Sequence, residues 1–152
     1  MEKFKKILFP VDFSECSQHV APYAINFARK FDAKLYLLFV ARDLSYLTVV
    51  NMPYSTLTEF SGKIAVVGEK AMEEFCNNFC NDYANYEARV TIGNAPEDIL
   101  TFAEENGIDL ILMGTHGRKG LDRILLGSVA DYVIKNASVP VITISPFAPL
   151  HS

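Results

Sequence analysis

Three glycines and a serine are spaced along one short stretch of the chain as Gly114-x2-Gly117-x9-Gly127-Ser128. Between them lie Arg118, Lys119 and Arg123 against one acid, Asp122. Glycines let an anion approach the main chain, and a helix opening at Ser128 adds unpaired N–H groups and the positive end of its dipole. That is chemistry for holding phosphate. The setting sharpens the contrast, because Glu69 to Asp109 carries ten acids and two bases in a 152-residue chain of net charge −4. An ordinary solvated loop is the alternative, and charge alone does not exclude it. Other helix starts suit an anion less: Glu97 and Asp98 occupy one first turn, Glu15 another, and Asp131 tempers the start at Ser128 itself. A second chemical residue, Asp12, closes the apolar run ILFPV. It stands where a strand ends, and it can cap the following helix.

The remaining candidates are weaker. His116 is a proton carrier only if an acid or nucleophile stands beside it, and a loop histidine with an incidental hydrogen bond is the simpler reading. Cys76 and Cys80, four apart, share a helical face; a metal or redox thiol pair is conceivable, but Phe75 and Phe79 beside them favour buried apolar residues. With Cys16, the three cysteines make no disulfide framework, and a reducing cytoplasm fits. An isoelectric point near 5.3 argues against sequence-independent nucleic-acid binding. The apolar stretch Leu35 to Ala41 falls far short of the ~20 residues needed to span a bilayer. The opening MEKFKKILFPVD is too brief for a secretion signal, so export is not expected.

The elements that must position these residues follow from periodicity. KKILFPV (5–11) reads as a buried strand, KLYLLFV (34–40) as a second that is apolar on both faces and so central and parallel, and DLILM (109–113) and VPVITIS (139–145) as the fourth and fifth strands. Tyr86 to Ile92 alternates and reads as a strand with unlike faces. Val20, Ala24, Phe27, Ala28 and Phe31 define a first helix capped by Ser14 or Ser17, with Pro22 costing it a hydrogen bond. Residues 42–58 read as a long loop with at most a helical turn, and a long helix is expected from about Glu59 to Tyr83. A third helix runs from Pro96 to about Asn106, where Gly107 stops it. The last opens on a capping-box-like Ser128 and Asp131 and runs to about Asn136. Strand and helix alternate four times before a closing strand, which predicts one α/β domain over 1–152: an open five-stranded parallel sheet with helices on both faces. Such sheets bind ligands beyond the carboxyl ends of their strands, where Asp12 and Gly114 fall.

These residues make the chain resemble the universal stress protein family, in its ATP-binding form. The likeness rests on KKILFPVDFS, on MGTHGRKG with LLGSVADYVI, and on the final VPVITI, and so covers nearly the whole chain. It implies the adenine-nucleotide alpha-hydrolase-like fold with sheet order 3-2-1-4-5. It implies that Asp12 contacts the ribose, that the Val40 main chain bonds the adenine edge, and that Gly114 lies near the ribose. Gly117, Gly127, Ser128 and Val129 would cradle the phosphates, commonly with a divalent cation, Mg or Mn, bridging them. Arg118 joins this set, with solvation as its alternative. Gly117 and Gly127 have a plainer role as turn glycines, and Ser128 as a helix cap. The family also implies a homodimer through the last strand, Val139 to Ser145, which would otherwise be an apolar edge.

The function expected is therefore a cytoplasmic protein binding ATP, ADP or AMP in a regulatory, stress-response role, with an unidentified protein partner. Two alternatives stand beside it. One is a slow ATPase or a phosphoryl- or adenylyl-transfer enzyme. No Walker A lysine, Ser-Gly-Gly-x-Asp-Ser loop or His-Ile-Gly-His segment is present, and no catalytic residue is assigned. The other is a dimeric interaction module that binds no nucleotide, which the intact glycine pattern disfavours.

Overall fold

The computed structural model describes residues 3–42, 54–115 and 126–145. Nine elements alternate along the chain: β1 (Lys6–Pro10), α1 (Glu15–Phe31), β2 (Lys34–Arg42), α2 (Tyr54–Phe79), β3 (Tyr86–Gly93), α3 (Ala95–Glu105), β4 (Leu110–Gly114), α4 (Ser128–Asn136) and β5 (Val141–Ile144). All strand pairs are parallel and the order is β3-β2-β1-β4-β5, as expected.

The apolar runs in β1, β2 and β4 are continuous because both sheet faces are covered. Successive side chains point to opposite faces. Ile7, Phe9, Leu35, Leu37, Leu110 and Leu112 therefore enter one core, which α1 and α2 cover with Val20, Ala24, Ala28, Met72 and Phe75. Leu8, Tyr36, Leu38, Ile111 and Met113 enter the other, under Ile99, Phe102 and Ala103 of α3 and Ala130 and Val133 of α4. β3 is an edge strand. Its Tyr86, Ala88 and Val90 pack on the first core, while Ile92 remains 44% exposed.

Local chemistry sets the helix ends. Ser14 caps α1, its hydroxyl accepting from the Ser17 amide, and the helix runs through Pro22 to Phe31. Gly107 takes a left-handed φ of 63° just beyond α3, a conformation that glycine adopts without steric penalty. The helix α2 begins at Tyr54, so residues 54–58 are helical where a loop was expected; residues 43–53 lie outside the described residues. It ends at Phe79 rather than Tyr83, with the Cys80 amide making its last helical bond to Cys76 O. β5 is shorter than the predicted 139–145: Pro140, which has no N–H, precedes it and offers its carbonyl to Ile111 instead. Among the described residues no helix is long and apolar enough to cross a membrane.

The order of the strands makes the site. From β1 the chain steps to β2 and β3 on one side, then returns to β4 and β5 on the other. Connections leaving the carboxyl ends of β1 and β4 thus diverge and open a crevice between them.

Candidate functional site

That crevice is a cleft of about 320 Å³. Six of the eight residues singled out in the sequence line it: Asp12, Val40, Gly114, Gly127, Ser128 and Val129. Gly117 and Arg118, with His116, Lys119 and Arg123, lie outside the described residues.

Asp12 is held by the turn that leads from β1 into α1. Its Oδ1 accepts from the Ser14 amide at 3.0 Å, from the Ser14 hydroxyl, and from the Ser17 hydroxyl at 2.7 Å. Its own N–H donates to Ser17 Oγ at 3.0 Å. The capping reading of Asp12 is corrected: the cap of α1 is Ser14, and Asp12 instead accepts hydrogen bonds from Ser14 and Ser17. Phe13, between Asp12 and Ser14, has a φ of 62°, a left-handed value that costs a bulky residue about 1–3 kcal/mol. Its ring packs at a tilt against Phe39, 4.6 Å between centroids, and meets Phe75 edge-on at 6.0 Å, which ties the turn to β2 and α2.

Val40 stands on β2 just past the last pairing with β1, Pro10 against Leu38. The Val11 amide donates to Leu38 O at 2.9 Å, so that edge of β2 faces β1. Residues two apart along a strand present their main-chain groups to the same side, so those of Val40 face the crevice where β1 has left the sheet. Leu38, Ile99 and Met113 give the cleft apolar walls.

On the opposite side the chain returns into α4. The cap there is Gly127, not Ser128, a correction to the expected capping box. The carbonyl of Gly127 accepts the first helical bond, from Asp131 at 3.0 Å, which makes Ser128 the first helical residue. No side chain caps this end. Asp131 instead pairs with Lys135 at 3.0 Å one turn along. The Gly127 amide donates to Thr115 O at 2.7 Å, and the Thr115 amide to Ile144 O at 3.1 Å. The base of the 115–127 excursion is thus pinned to the end of β5. The Gly127 N–H is committed, and the donors at the helix opening are the amides of Ser128, Val129 and Ala130.

Ser17, Phe13 and Thr115 are the site residues that pattern reading missed. Ser17 was considered only as a possible cap, and its bond to Asp12 arises from the left-handed turn between them. Cys76 and Cys80 lie in the core, 6% and 5% exposed, as the flanking phenylalanines implied. Cys80 is pushed up well above the usual thiol range, by its hydrogen bond to Cys76 and by burial.

An apolar slot lined also by a braced carboxylate and by the opening of α4 suits a ligand with an apolar ring, hydroxyls and an anionic tail. Similar proteins were found by sequence and by structure. Residues 3–145 match the model of the Universal stress protein family. Universal stress protein MJ0531 of Methanocaldococcus jannaschii is 38% identical over 142 residues, covering 93% of this chain and 82% of that protein. Universal stress protein MJ0577 of the same archaeon is 31% identical, covering 93% of this chain and 94% of that one. The solved structure of MJ0577 superposes with a TM-score of 0.82 at 28% identity, covering 99% of this chain and 100% of that one. A universal stress protein from Archaeoglobus fulgidus, solved in complex with dAMP, shares the fold at a TM-score of 0.68 and 21% identity, covering 94% of this chain and 99% of that one. The glycine-bounded loop at the carboxyl edge of the sheet pointed to this kinship, and a match running over residues 3–145 settles it: the chain belongs to the universal stress protein family.

Proposed function

We propose that the chain is a cytoplasmic, ATP-binding member of the family with a regulatory role in stress response, acting through nucleotide occupancy and dimerisation. One observation carries this reading: the fold brings Asp12, the Val40 main chain and the opening of α4 around one cleft of about 320 Å³. In it, adenine lies in the apolar slot with its edge on the Val40 main chain. The ribose lies between Asp12 and Gly114, and the phosphates meet the amides of Ser128 and Val129. Gly127 supplies the close approach at the cap, and Gly117 and Arg118 complete the set from the loop. A dAMP complex of a fold relative supports an adenine nucleotide as the class of ligand. Among the described residues no group of three or more His, Cys, Asp or Glu could hold a metal ion. Titration calorimetry with ATP, ADP and AMP tests the reading, and absence of binding at millimolar nucleotide would reject it.

The dimer follows from the sheet edge. β5 has β4 on one side only, and an unpaired apolar edge favours pairing with a second copy. Light scattering on the eluted protein should give twice the chain mass; a monomer at micromolar concentration would reject this part.

A further inference from the structure

Among the described residues Ser17 is the single buried serine, threonine, amide or charged side chain, 7% exposed, and it lines the cleft. Its hydroxyl grips one residue from two sides, donating to Asp12 Oδ1 at 2.7 Å and accepting from the Asp12 amide at 3.0 Å. Capping does not require this. Ser14 already supplies the side-chain cap of α1 by accepting from the Ser17 amide, and neither Ser17 hydroxyl bond satisfies an amide of the helix. What the bonds do accomplish is orientation. With the Ser14 amide and hydroxyl, Ser17 brings three donors to one carboxylate oxygen, which fixes the orientation of the group. The left-handed Phe13, locked by Phe39 and Phe75, holds Asp12 and Ser14 at the separation the network needs.

We infer that Ser17 is a positioning residue that aims the Asp12 carboxylate at the ribose diol, so that the cleft selects ribonucleotides over 2′-deoxyribonucleotides. This rests on the reading of the cleft as a nucleotide site. A carboxylate free to rotate spreads its acceptor strength over many poses, whereas a braced one holds its lone pairs where two adjacent hydroxyls donate. Ser17 touches no ligand in this scheme and acts through Asp12.

The test compares ATP with 2′-deoxy-ATP by titration calorimetry on wild type, Ser17→Ala, Ser17→Thr and Asp12→Asn, each checked for folding by thermal melting. Wild type should prefer ATP by about tenfold or more, since hydrogen bonds to a charged group contribute about 1.5–3 kcal/mol. Ser17→Ala should weaken ATP about tenfold and 2′-deoxy-ATP less than threefold, with Ser17→Thr restoring the preference. In the Asp12→Asn background Ser17→Ala should add little. Equal weakening of both nucleotides, or an unchanged ratio, would overturn the positioning role. Should the alanine variant not fold, Ser17→Cys keeps the volume with a weaker donor and submits the same ratio to the same judgement. A wild-type protein that binds neither nucleotide overturns the reading of the cleft itself, and one that binds both equally overturns only this inference.

Discussion

Replacing Gly127 by aspartate should separate folding from anion binding. Gly127 is the cap of α4 with φ −63° and ψ 153°, extended values that any L-residue adopts. Aspartate is a good cap, better than glycine by a few tenths of a kcal/mol. Its charge at the positive end of the helix adds roughly 0.3–1 kcal/mol, from which an i,i+4 repulsion with Asp131 takes back about 0.2–0.5 kcal/mol. Fold stability should therefore stay level or rise slightly, and the melting temperature should move by a few degrees at most. Binding should respond quite differently. The new carboxylate competes for the first-turn amides and stands where phosphate would. Two unit charges ~4 Å apart repel by about 4 kcal/mol at an effective dielectric near 20. At 1.4 kcal/mol per factor of ten, that is roughly a thousandfold in affinity. Calorimetry with ATP and adenosine on wild type and Gly127→Asp gives the answer: ATP should weaken by about three orders of magnitude, while adenosine, which has no phosphate, should change less than threefold. Unchanged ATP affinity in a folded variant would show that the opening of α4 does not hold the phosphates. Equal loss of adenosine would show a blocked cleft rather than a repelled anion.

Two further perturbations probe the scaffold. In α2, Gly62 has nothing within 4 Å of an added Cβ, whereas at Gly68 that atom would stand 2.9 Å from the Phe39 ring. Gly62→Ala should stabilise by roughly 0.5–1 kcal/mol. Gly68→Ala should destabilise by about 1–3 kcal/mol less that gain, because Phe39 is packed on Phe13 and has little room to yield. Denaturant titrations giving the two variants the same sign would contradict the packing described. The Tyr83 hydroxyl donates to the Ala28 and Ala33 carbonyls, and burial, then the charge of Asp32, raises the phenol above its ordinary value near 10. Below that value its contribution to stability is fully present; it is lost as pH rises through the higher folded value. Tyr83→Phe should cost about 1 kcal/mol at neutral pH and flatten the decline above pH ~10, with the tyrosine at 86 leaving a residual slope. Parallel alkaline slopes in wild type and variant would refute the assignment.

The parts of the fold that were legible in the sequence are those written in local periodicity. The unbroken apolar run of β2 marked it as a strand covered on both faces, because a strand with a wet face must alternate. Ser14 as a cap and Gly107 as a stop were readable from the few residues around them. The order of the strands was another matter: periodicity said parallel, and it was family likeness that implied 3-2-1-4-5. Residues 42–58 carry no clear apolar period and so read as a long loop with at most a helical turn, whereas residues 54–58 form the start of α2.

At the site the chain alone determined which groups are available: a carboxylate after the first strand, glycines bounding a loop after the fourth, and a serine at the head of the next helix. Tertiary structure decided what those groups do. It made Gly127 rather than Ser128 the cap, by drawing the Gly127 amide onto Thr115 and leaving its carbonyl to Asp131. It turned Ser17 onto Asp12 through a left-handed phenylalanine that packs against Phe39 and Phe75. Residue types and spacings are carried by the one-dimensional chain, but a side chain's hydrogen-bond partner depends on backbone angles that distant contacts can force against local preference.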